Sequence, residues 1–323
     1  MRIIFMGTPE YALACLKGLV EAACSRPQMQ VAAVITQPDR PGGRGKKLQA
    51  SPVKTYAEQM GIPVLQPEKI RSTDSIAALK ALSADIFVVA AYGQILTQKI
   101  LDLPKFGAIN VHASLLPKYR GASPIQQAIA DGETTTGITI MQMDKGIDTG
   151  DMLLKREIAI DPFDIGGTLH NKLCEIAPEA LLEALSLIEN GNAFPIAQDD
   201  GLATYAPLIT KQMAQIDWHK SPTDIVNLIR AYNPFPGAFA RLGDKQIKIW
   251  QAEADSSWGI QGQPRNDGYV AGKILHACPK DGITAAAAGG AVRITELTPP
   301  NGKKVSAADF VKGHKIEIGA VLR

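Results

Sequence analysis

Short apolar runs rich in β-branched residues alternate with helical patterns along the first half of the chain. Strands buried on both faces of a sheet have this length and composition, as in RIIFMG, VAAVITQ, DIFVVAAYG and GAINVHAS. Between them lie segments with apolar residues at helical spacing, such as YALACLKGLVEAA and VKTYAEQMG. The alternation predicts an α/β fold with a Rossmann-like, mostly parallel sheet, whose ligands bind at the carboxyl ends of the strands.

Two more strands and a long helix follow in the same half. The strands are TGITIMQMD and GDMLLKREIAI, and we expect the second to return along the sheet. A helical pattern extends from about Thr168 to Asn190, and Gly191 is suited to the position that ends a helix. Pro178 predicts a kink or two helical pieces, because proline cannot continue the backbone hydrogen bonds of a helix.

The second half has shorter alternating strands separated by Gly, Asp and Asn turns. SPTDIVNLIRAY is typical of a helix with Ser221 as its N-cap, and AFARL, KQIKIW, GYVAGKIL and GGAVRITEL are typical of antiparallel strands. This pattern indicates a smaller antiparallel β-barrel. We predict a first domain at 1–206, an irregular linker at 207–213 and the β domain at 214–323.

Composition indicates which class of protein this is. Apolar residues make up 46% of the 323 residues and charged residues 20%, which is ordinary for a globular protein with two cores. No apolar run approaches the ~20 residues of a membrane span, so we expect a cytoplasmic protein with no membrane contact. The cysteines have neither disulfide-framework nor zinc-ligand spacing and are expected to be reduced thiols: Cys15, Cys24, Cys174 and Cys278.

The net charge of +2 is unevenly distributed along the chain. From Ile209 to the end there are 15 Lys and Arg against 10 Asp and Glu, and the first 208 residues have 19 against 22. A basic second half suits a polyanionic partner, but a solvated basic face is also typical of such an excess.

Polar residues cluster at the end of one predicted central strand, in the segment NVHASLLPKYRG. Asn110 and His112 are two positions apart, so they point to the same face and can converge on one oxygen atom. The proline-stiffened loop that follows can fix a planar polar ligand, with Leu115 and Leu116 as apolar contacts. The alternative is a half-buried histidine beside an asparagine that closes a turn.

A carboxylate follows the next predicted strand, in MDKGIDTGDM. Asp148 beside an imidazole could orient that ring for acid catalysis. Asp144, Asp148 and Asp151 together also suggest Mg²⁺, but no second acidic cluster supports this alternative, and we predict no metal. The first turn, GTPE, lacks the glycine pattern of dinucleotide and ATP sites.

Five motifs in one order resemble the folate-dependent formyltransferase family, and within it the methionyl-tRNA formyltransferases. They are GTPEYA, QPDRPGGRGKK, NVHASLLPKYRGASPI, GITIMQMDKGIDTGDM and YNPFPGAF, and they extend over nearly the whole chain. The resemblance implies that 10-formyltetrahydrofolate donates a formyl group to the amino group of methionine on initiator methionyl-tRNA. It places Asn110, His112 and Asp148 on the catalytic positions. It also implies a folate-contacting stretch of Ser114, Leu115, Leu116 and Pro117.

Selection of tRNA is implied at two other places. Arg40, Arg44, Lys46 and Lys47 lie in a Gly-rich segment without helical or strand periodicity, which predicts a flexible exposed loop suited to phosphate contacts. The family has an insertion loop here that enters the tRNA acceptor region, and Arg44 is the foremost candidate contact. The resemblance also implies that the C-terminal barrel is OB-like and binds the tRNA. Leu208 stands where a lysine is expected in relatives, which weakens an RNA contact by the linker.

Two alternatives remain open from the sequence. One is a folate-dependent formyltransferase acting on a small amine such as an amino-sugar nucleotide. The other is a non-catalytic RNA- or nucleotide-binding protein in which His112 is structural. We expect a monomer without an obligate protein partner, and the residues give no role to Lys118 or Arg120.

Overall fold

The structure is a computed structural model that describes residues 1–42, 47–255 and 270–323. Contacts between residues divide the chain into two compact units. The first unit comprises Met1–Pro124, Thr135–Ala159 and His170–Ala206. The second comprises Ile125–Thr134, Ile160–Leu169 and Pro207–Arg323. The domain boundaries at 206 and 214 stay a prediction.

The strands of the first unit follow one another from the first residues of the chain to position 206. They are β1 (Arg2–Gly7), β2 (Gln30–Ile35), β3 (Arg40–Gly42), β4 (Lys47–Gln49), β5 (Val64–Leu65), β6 (Ile86–Ala90), β7 (Ala108–His112), β8 (Arg120–Gly121), β9 (Thr135–Gln142), β10 (Met152–Ala159) and β11 (Tyr205–Ala206). The helices up to the same position are α1 (Glu10–Ser25), α2 (Pro52–Gln59), α3 (Thr73–Ala81), α4 (Gln98–Leu101), α5 (Pro124–Ala130) and α6 (Gly166–Glu189).

A seven-stranded sheet in the order β10-β9-β7-β6-β1-β2-β5 forms the centre of the first unit, as far as the described residues extend. The strands from β7 to β5 pair in parallel, whereas β9 is antiparallel to β7 and β10 is antiparallel to β9. Every residue of β6 is buried, because a parallel sheet is covered on both faces. The predicted mostly parallel α/β fold is confirmed, including the returning strand β10.

Helix α6 is one continuous helix although Pro178 lies inside it. The alternative of two helical pieces is therefore wrong. The proline ring packs against α1: a Cβ atom built on Gly18 would lie only 2.4 Å from Cβ of Pro178. Glycine at position 18 thus permits a close contact between the two helices.

The second unit contains a curled antiparallel half-barrel. Its elements beyond position 206 are α7 (Pro222–Ala231), β12 (Phe239–Leu242), β13 (Lys245–Asp255), β14 (Ile274–Cys278), β15 (Gly282–Ala287), β16 (Gly290–Thr298), β17 (Val305–Ser306) and α8 (Ala307–Gly313). The described strands are ordered β12-β13-β16-β15-β14, with β17 also on β16. The last residues connect both edges, since Leu322 bridges Leu242 and Val321 bridges Lys273. The predicted antiparallel β fold is confirmed.

Segments at both ends of the predicted Gly-rich loop form a β-hairpin rather than an irregular loop. Arg40 pairs with Gln49 and Gly42 pairs with Lys47. The expectation of no strand structure is wrong for these flanks, whereas residues 43–46 lie outside the described part of the chain. Within the described ranges, none of the helices combines the length and apolar character needed to cross a membrane. All four cysteines lie in these ranges, and each is a free thiol.

Candidate active site

Strand β7 brings Asn110 and His112 to the carboxyl end of the parallel part of the sheet. Asn110 lies opposite Val89 of the parallel neighbour β6, and on the other side His112 lies opposite Thr139 of the antiparallel neighbour β9. The strand order therefore changes direction beside β7, which is where open α/β sheets place their ligand sites. Both side chains extend to one face, as their spacing predicts, and both reach Asp148.

Three nitrogen atoms surround the carboxylate of Asp148. Nδ2 of Asn110 donates to Oδ1 over 3.2 Å, and the backbone N–H of Gly121 donates to Oδ2 over 2.8 Å. Nδ1 of His112 lies 3.5 Å from Oδ2. The side chain of Asp148 is only 15% exposed, so its charge acts with little screening by water. The three residues predicted to be catalytic therefore form one cluster.

The imidazole of His112 is buried between two oxygen atoms. Nε2 lies 2.9 Å from the carbonyl oxygen of Tyr119. A carbonyl oxygen only accepts hydrogen bonds, so Nε2 carries a hydrogen in this arrangement. Since Nδ1 faces the carboxylate of Asp148, the ring is oriented from both sides.

The loop after β7 is held in shape by its own polar groups. Oγ of Ser114 donates to the carbonyl of Lys118 over 2.7 Å, and the N–H of Leu116 donates to Oγ1 of Thr139 over 3.0 Å. The Leu116–Pro117 peptide bond is cis. The side chains of Ser114 and Leu116 are completely buried. Of the four residues predicted to contact folate, these two therefore support the loop from within the protein, while Leu115 and Pro117 are partly exposed.

Arg120, to which the sequence gave no role, is connected to the loop of Asp148 through the side chain of Gln198. Its side chain is 2% exposed, and it donates from Nε to Oε1 of Gln198 over 3.0 Å and from a terminal nitrogen to Oδ1 of Asp200 over 2.7 Å. Nε2 of Gln198 donates in turn to the carbonyl oxygens of Asp148 and Gly150 over 2.8 and 2.7 Å. Sequence reasoning missed Gln198, because no motif surrounds it.

The guanidinium of Arg120 stays charged in this buried position. Burial by itself lowers the pKa of Arg120, but the hydrogen bonds to Asp200 and Tyr205 outweigh burial and raise that pKa above its ordinary value. Both partners come from the segment that includes β11, which pairs in parallel with β8.

Two of the three carboxylates that suggested Mg²⁺, those of Asp144 and Asp148, have hydrogen-bond partners among the described residues. Asp144 accepts hydrogen bonds from its own loop, from the N–H of Gly146 and the hydroxyl of Thr149. In the part of the chain that the structure describes, a single group of three possible ligand residues has its ligand atoms within 4.8 Å of one another, and it lies elsewhere: His276, Cys278 and Asp281. There Oδ2 of Asp281 accepts from Cys278 and lies 3.8 Å from Nε2 of His276, so these groups have protein partners.

Family models match most of the chain. The model of the formyl transferase family matches residues 1–185, and the model of the formyl transferase C-terminal domain matches residues 208–315. The methionyl-tRNA formyltransferase of Geotalea uraniireducens is 45% identical over 322 residues, which is 100% of this chain and 98% of the relative. That of Caldanaerobacter subterraneus is 46% identical over 324 residues and 100% of both chains.

The chain belongs to the methionyl-tRNA formyltransferase family. This confirms the family predicted from the motifs. The family models leave residues 186–207 unmatched, and Gln198 and Asp200 lie in that segment.

Two solved structures have a similar fold. An N-formyltransferase from Helicobacter canadensis, in complex with folinic acid and dTDP-3-aminofucose, has a TM-score of 0.63 and 18% identity, covering 94% of this chain and 99% of that one. HypX from Aquifex aeolicus in complex with tetrahydrofolic acid has a TM-score of 0.59 and 18% identity. This chain covers 47% of HypX, and 96% of this chain is aligned. At these identities the likeness concerns the fold alone.

The basic residues expected to contact tRNA are only partly described. Arg40 and Lys47 are exposed on the two strands of the β3–β4 hairpin, which would leave their charges accessible to a polyanion. Arg44 and Lys46 lie outside the described residues. The tRNA contacts of this methionyl-tRNA formyltransferase family member therefore remain predictions.

Proposed function

We propose that this protein transfers the formyl group of 10-formyltetrahydrofolate to the free amino group of methionine on initiator methionyl-tRNA, forming N-formylmethionyl-tRNA for translation initiation. Its family is defined by that activity, and the identity to family members extends over the whole chain. The observation that carries the site assignment is the convergence of Asn110, His112 and Asp148 at the end of β7.

The proposed reaction is direct acyl transfer. The amino nitrogen attacks the formyl carbon, and a tetrahedral intermediate with a negatively charged oxygen forms. Its collapse breaks the bond from carbon to N10 of the folate, so the amine loses one proton and N10 gains one. Donors that are already oriented toward the developing oxyanion contribute about 10²–10³ each to the rate of such reactions.

The cluster can supply the groups that this reaction needs. An asparagine amide has two N–H groups, and while one of Asn110 donates to Asp148, the other can donate to the formyl oxygen. His112 can donate from Nε2 if that nitrogen exchanges the carbonyl of Tyr119 for the formyl oxygen. Asp148, held by the N–H of Gly121, can accept the proton of the attacking amine directly or through water.

The loop from Ser114 to Pro117 is the proposed wall of the folate site. Its partly exposed members, Leu115 and Pro117, offer apolar contact to the pterin ring, and its buried members fix the backbone. Tetrahydrofolic acid and folinic acid are bound by proteins of similar fold, which supports a folate donor here. No metal has a role in the proposal.

Two basic regions support tRNA as the acceptor. Arg40 and Lys47 lie on the paired strands β3 and β4, and Arg44 and Lys46 lie between them in the sequence. The chain from residue 209 onward has 15 Lys and Arg against 10 Asp and Glu, which suits contact with a phosphate backbone. The cytoplasmic location and the monomeric state stay predictions.

An acceptor panel tests the proposal. The protein is incubated with 10-formyltetrahydrofolate and one of three acceptors: methionyl initiator tRNA, the same tRNA without its amino acid, or an amino-sugar nucleotide. We expect formylation of methionyl-tRNA alone. Formylation of the amino sugar without any formylmethionyl-tRNA would refute the proposed acceptor, and no formyl transfer at all would refute the catalytic function.

A further inference from the structure

The loop that contains Asp148 is anchored by a side chain from a distant part of the chain. Nε2 of Gln198 donates to the carbonyl oxygen of Asp148 over 2.8 Å and to that of Gly150 over 2.7 Å. Gln198 is 50 positions from Asp148 in sequence, so the anchor depends on the fold rather than on the local turn. A primary amide has two N–H groups on this nitrogen, one for each of the two carbonyls.

This loop needs an anchor because its own structure is irregular. Asp148 has a φ angle of +53°, in the left-handed region that most residues avoid. Gly150 passes close to β9, since a Cβ atom there would lie 1.7 Å from the carbonyl oxygen of Gln142. A shift of the backbone at position 148 would move the carboxylate away from His112 and from the N–H of Gly121.

Arg120 sets the direction of the Gln198 amide. The guanidinium of Arg120 can only donate hydrogen bonds, so the group of Gln198 that faces it must be the acceptor Oε1. The amide nitrogen must then point the other way, toward two carbonyl oxygens that only accept. A buried arginine, an amide and the backbone of Asp148 thus form one chain of hydrogen bonds with a single consistent direction.

We propose that Gln198 is a positioning residue of the formyl-transfer reaction, and that Arg120 acts through it. Together they hold the backbone of Asp148 so that its carboxylate stays in contact with His112 and within reach of the attacking amine. This inference rests on the proposed function, because that function gives Asp148 its role as proton acceptor.

The variant Gln198→Glu separates positioning from structural support. Glutamate keeps the size of the side chain and an oxygen partner for Arg120, so the buried guanidinium stays paired. It replaces the N–H donors with a second carboxylate oxygen, which repels the carbonyls of Asp148 and Gly150. The matched control is Gln59→Glu, which makes the same change at an exposed glutamine of α2.

The measurement is steady-state formylation of methionyl-tRNA over a range of pH. For Gln198→Glu we expect a fall in kcat of about 10²-fold, the loss that a misplacement of about 1 Å causes, with the KM values of both substrates little changed. We also expect the pH dependence of kcat to change, because the environment of the proton acceptor changes. Gln59→Glu should retain kcat within about twofold of the parent protein and the same pH profile.

The outcomes distinguish this inference from the function on which it rests. If the parent protein formylates methionyl-tRNA and Gln198→Glu has the same kcat and pH profile, the positioning role is refuted while the function stands. If the parent protein is inactive, the proposed function itself fails. Should Gln198→Glu not fold, as judged by circular dichroism, Gln198→Ala takes its place. A folded Gln198→Ala variant with a parental kcat and pH profile would equally overturn the inference.

Discussion

At the scale of single residues, the side chains of the site are oriented by hydrogen-bond partners on more than one side. Asp148 receives hydrogen bonds from Asn110 and from the N–H of Gly121, and His112 lies between that carboxylate and the carbonyl of Tyr119. Because these groups are largely buried, losing one partner leaves another polar atom unsatisfied. Substitutions in this cluster should therefore affect neighbouring residues as well as the residue changed.

Tyr92 offers a test of burial at a single residue in the core. Its side chain is 2% exposed, and among the described residues its hydroxyl has no hydrogen-bond partner. We expect Tyr92→Phe to leave the free energy of unfolding unchanged or to raise it by about 1 kcal/mol, since an unsatisfied buried hydroxyl is removed. Urea denaturation at about pH 8 measures this difference. A loss of more than about 1 kcal/mol would show that the hydroxyl has a stabilising partner.

The same variant tests a pH dependence. Burial raises the pKa of Tyr92 from 10.0 to about 12. A raised folded-state pKa means that folding favours the neutral phenol. The contribution of the neutral phenol to the free energy of unfolding is therefore complete below about pH 10, and it is lost as the pH rises through about 12. Tyr92→Phe removes this loss, and its advantage over the parent protein should grow when denaturation is repeated at about pH 11. A constant difference between the two pH values would contradict the raised pKa.

The residues of the site differ in how far sequence could locate them. The proximity of Asn110 and His112 follows from side-chain alternation along one strand, and Asp148 was located by its loop after the next strand and by the family motif. Gln198 could not be located, because a lone glutamine in an irregular segment has no spacing that relates it to position 148. Ser114 and Leu116 belong to the motif, but only the fold shows that their side chains point into the protein.

At the scale of helices and strands, apolar periodicity predicted most elements of the first unit, and it failed where a pattern was short or uniform. The strand β15, GITAAA, was missed because all six of its residues are buried and most of them are small, so no alternation marks it. The β3–β4 hairpin was missed because Gly and charged residues in a three-residue strand have no β signature. The continuity of α6 at Pro178 was not predicted, because proline usually interrupts a helix, and the close contact of Pro178 with Gly18 of α1 is visible only in the folded structure.

The contact between α1 and α6 leads to a prediction at this scale. Gly18→Ala should lower the free energy of unfolding by about 1–3 kcal/mol, because its added methyl group would overlap Cβ of Pro178. The matched control is Gly313→Ala in α8, where a Cβ atom has no neighbour within 4 Å. That control should be neutral or slightly stabilising, since alanine favours helices over glycine. Thermal unfolding of both variants provides the comparison, and equal stability of the two would refute the close contact.

At the scale of the whole molecule, the proposed function separates the choice of acceptor from the chemistry of formyl transfer. The proposed catalytic cluster has no feature that limits it to one amine, whereas the basic residues between Arg40 and Lys47 and the basic second half suit a large polyanion. Phosphate contacts are electrostatic, so kcat/KM for methionyl-tRNA should fall as salt concentration rises. A small amine should show almost no such dependence.

Arg44 can test whether recognition of tRNA is separate from the chemistry of formyl transfer. Arg44→Ala should lower kcat/KM for methionyl-tRNA and reduce its salt slope by about one, as expected for one lost phosphate contact. A minimal acceptor that lacks the tRNA body should be formylated as before. The control is Arg71→Ala, which removes an exposed arginine elsewhere in the chain. An equal loss with both acceptors would remove Arg44 from tRNA recognition.

The most direct test of the account is single-turnover formation of formylmethionyl-tRNA from 10-formyltetrahydrofolate by the parent protein, His112→Ala and Asp148→Ala. Because these side chains meet at the proposed reaction centre, each substitution should slow the chemical step by about 10²–10³-fold or more while the protein stays folded. Circular dichroism of each variant provides the folding control. A folded variant that forms formylmethionyl-tRNA at nearly the parental rate would contradict the assignment of the site.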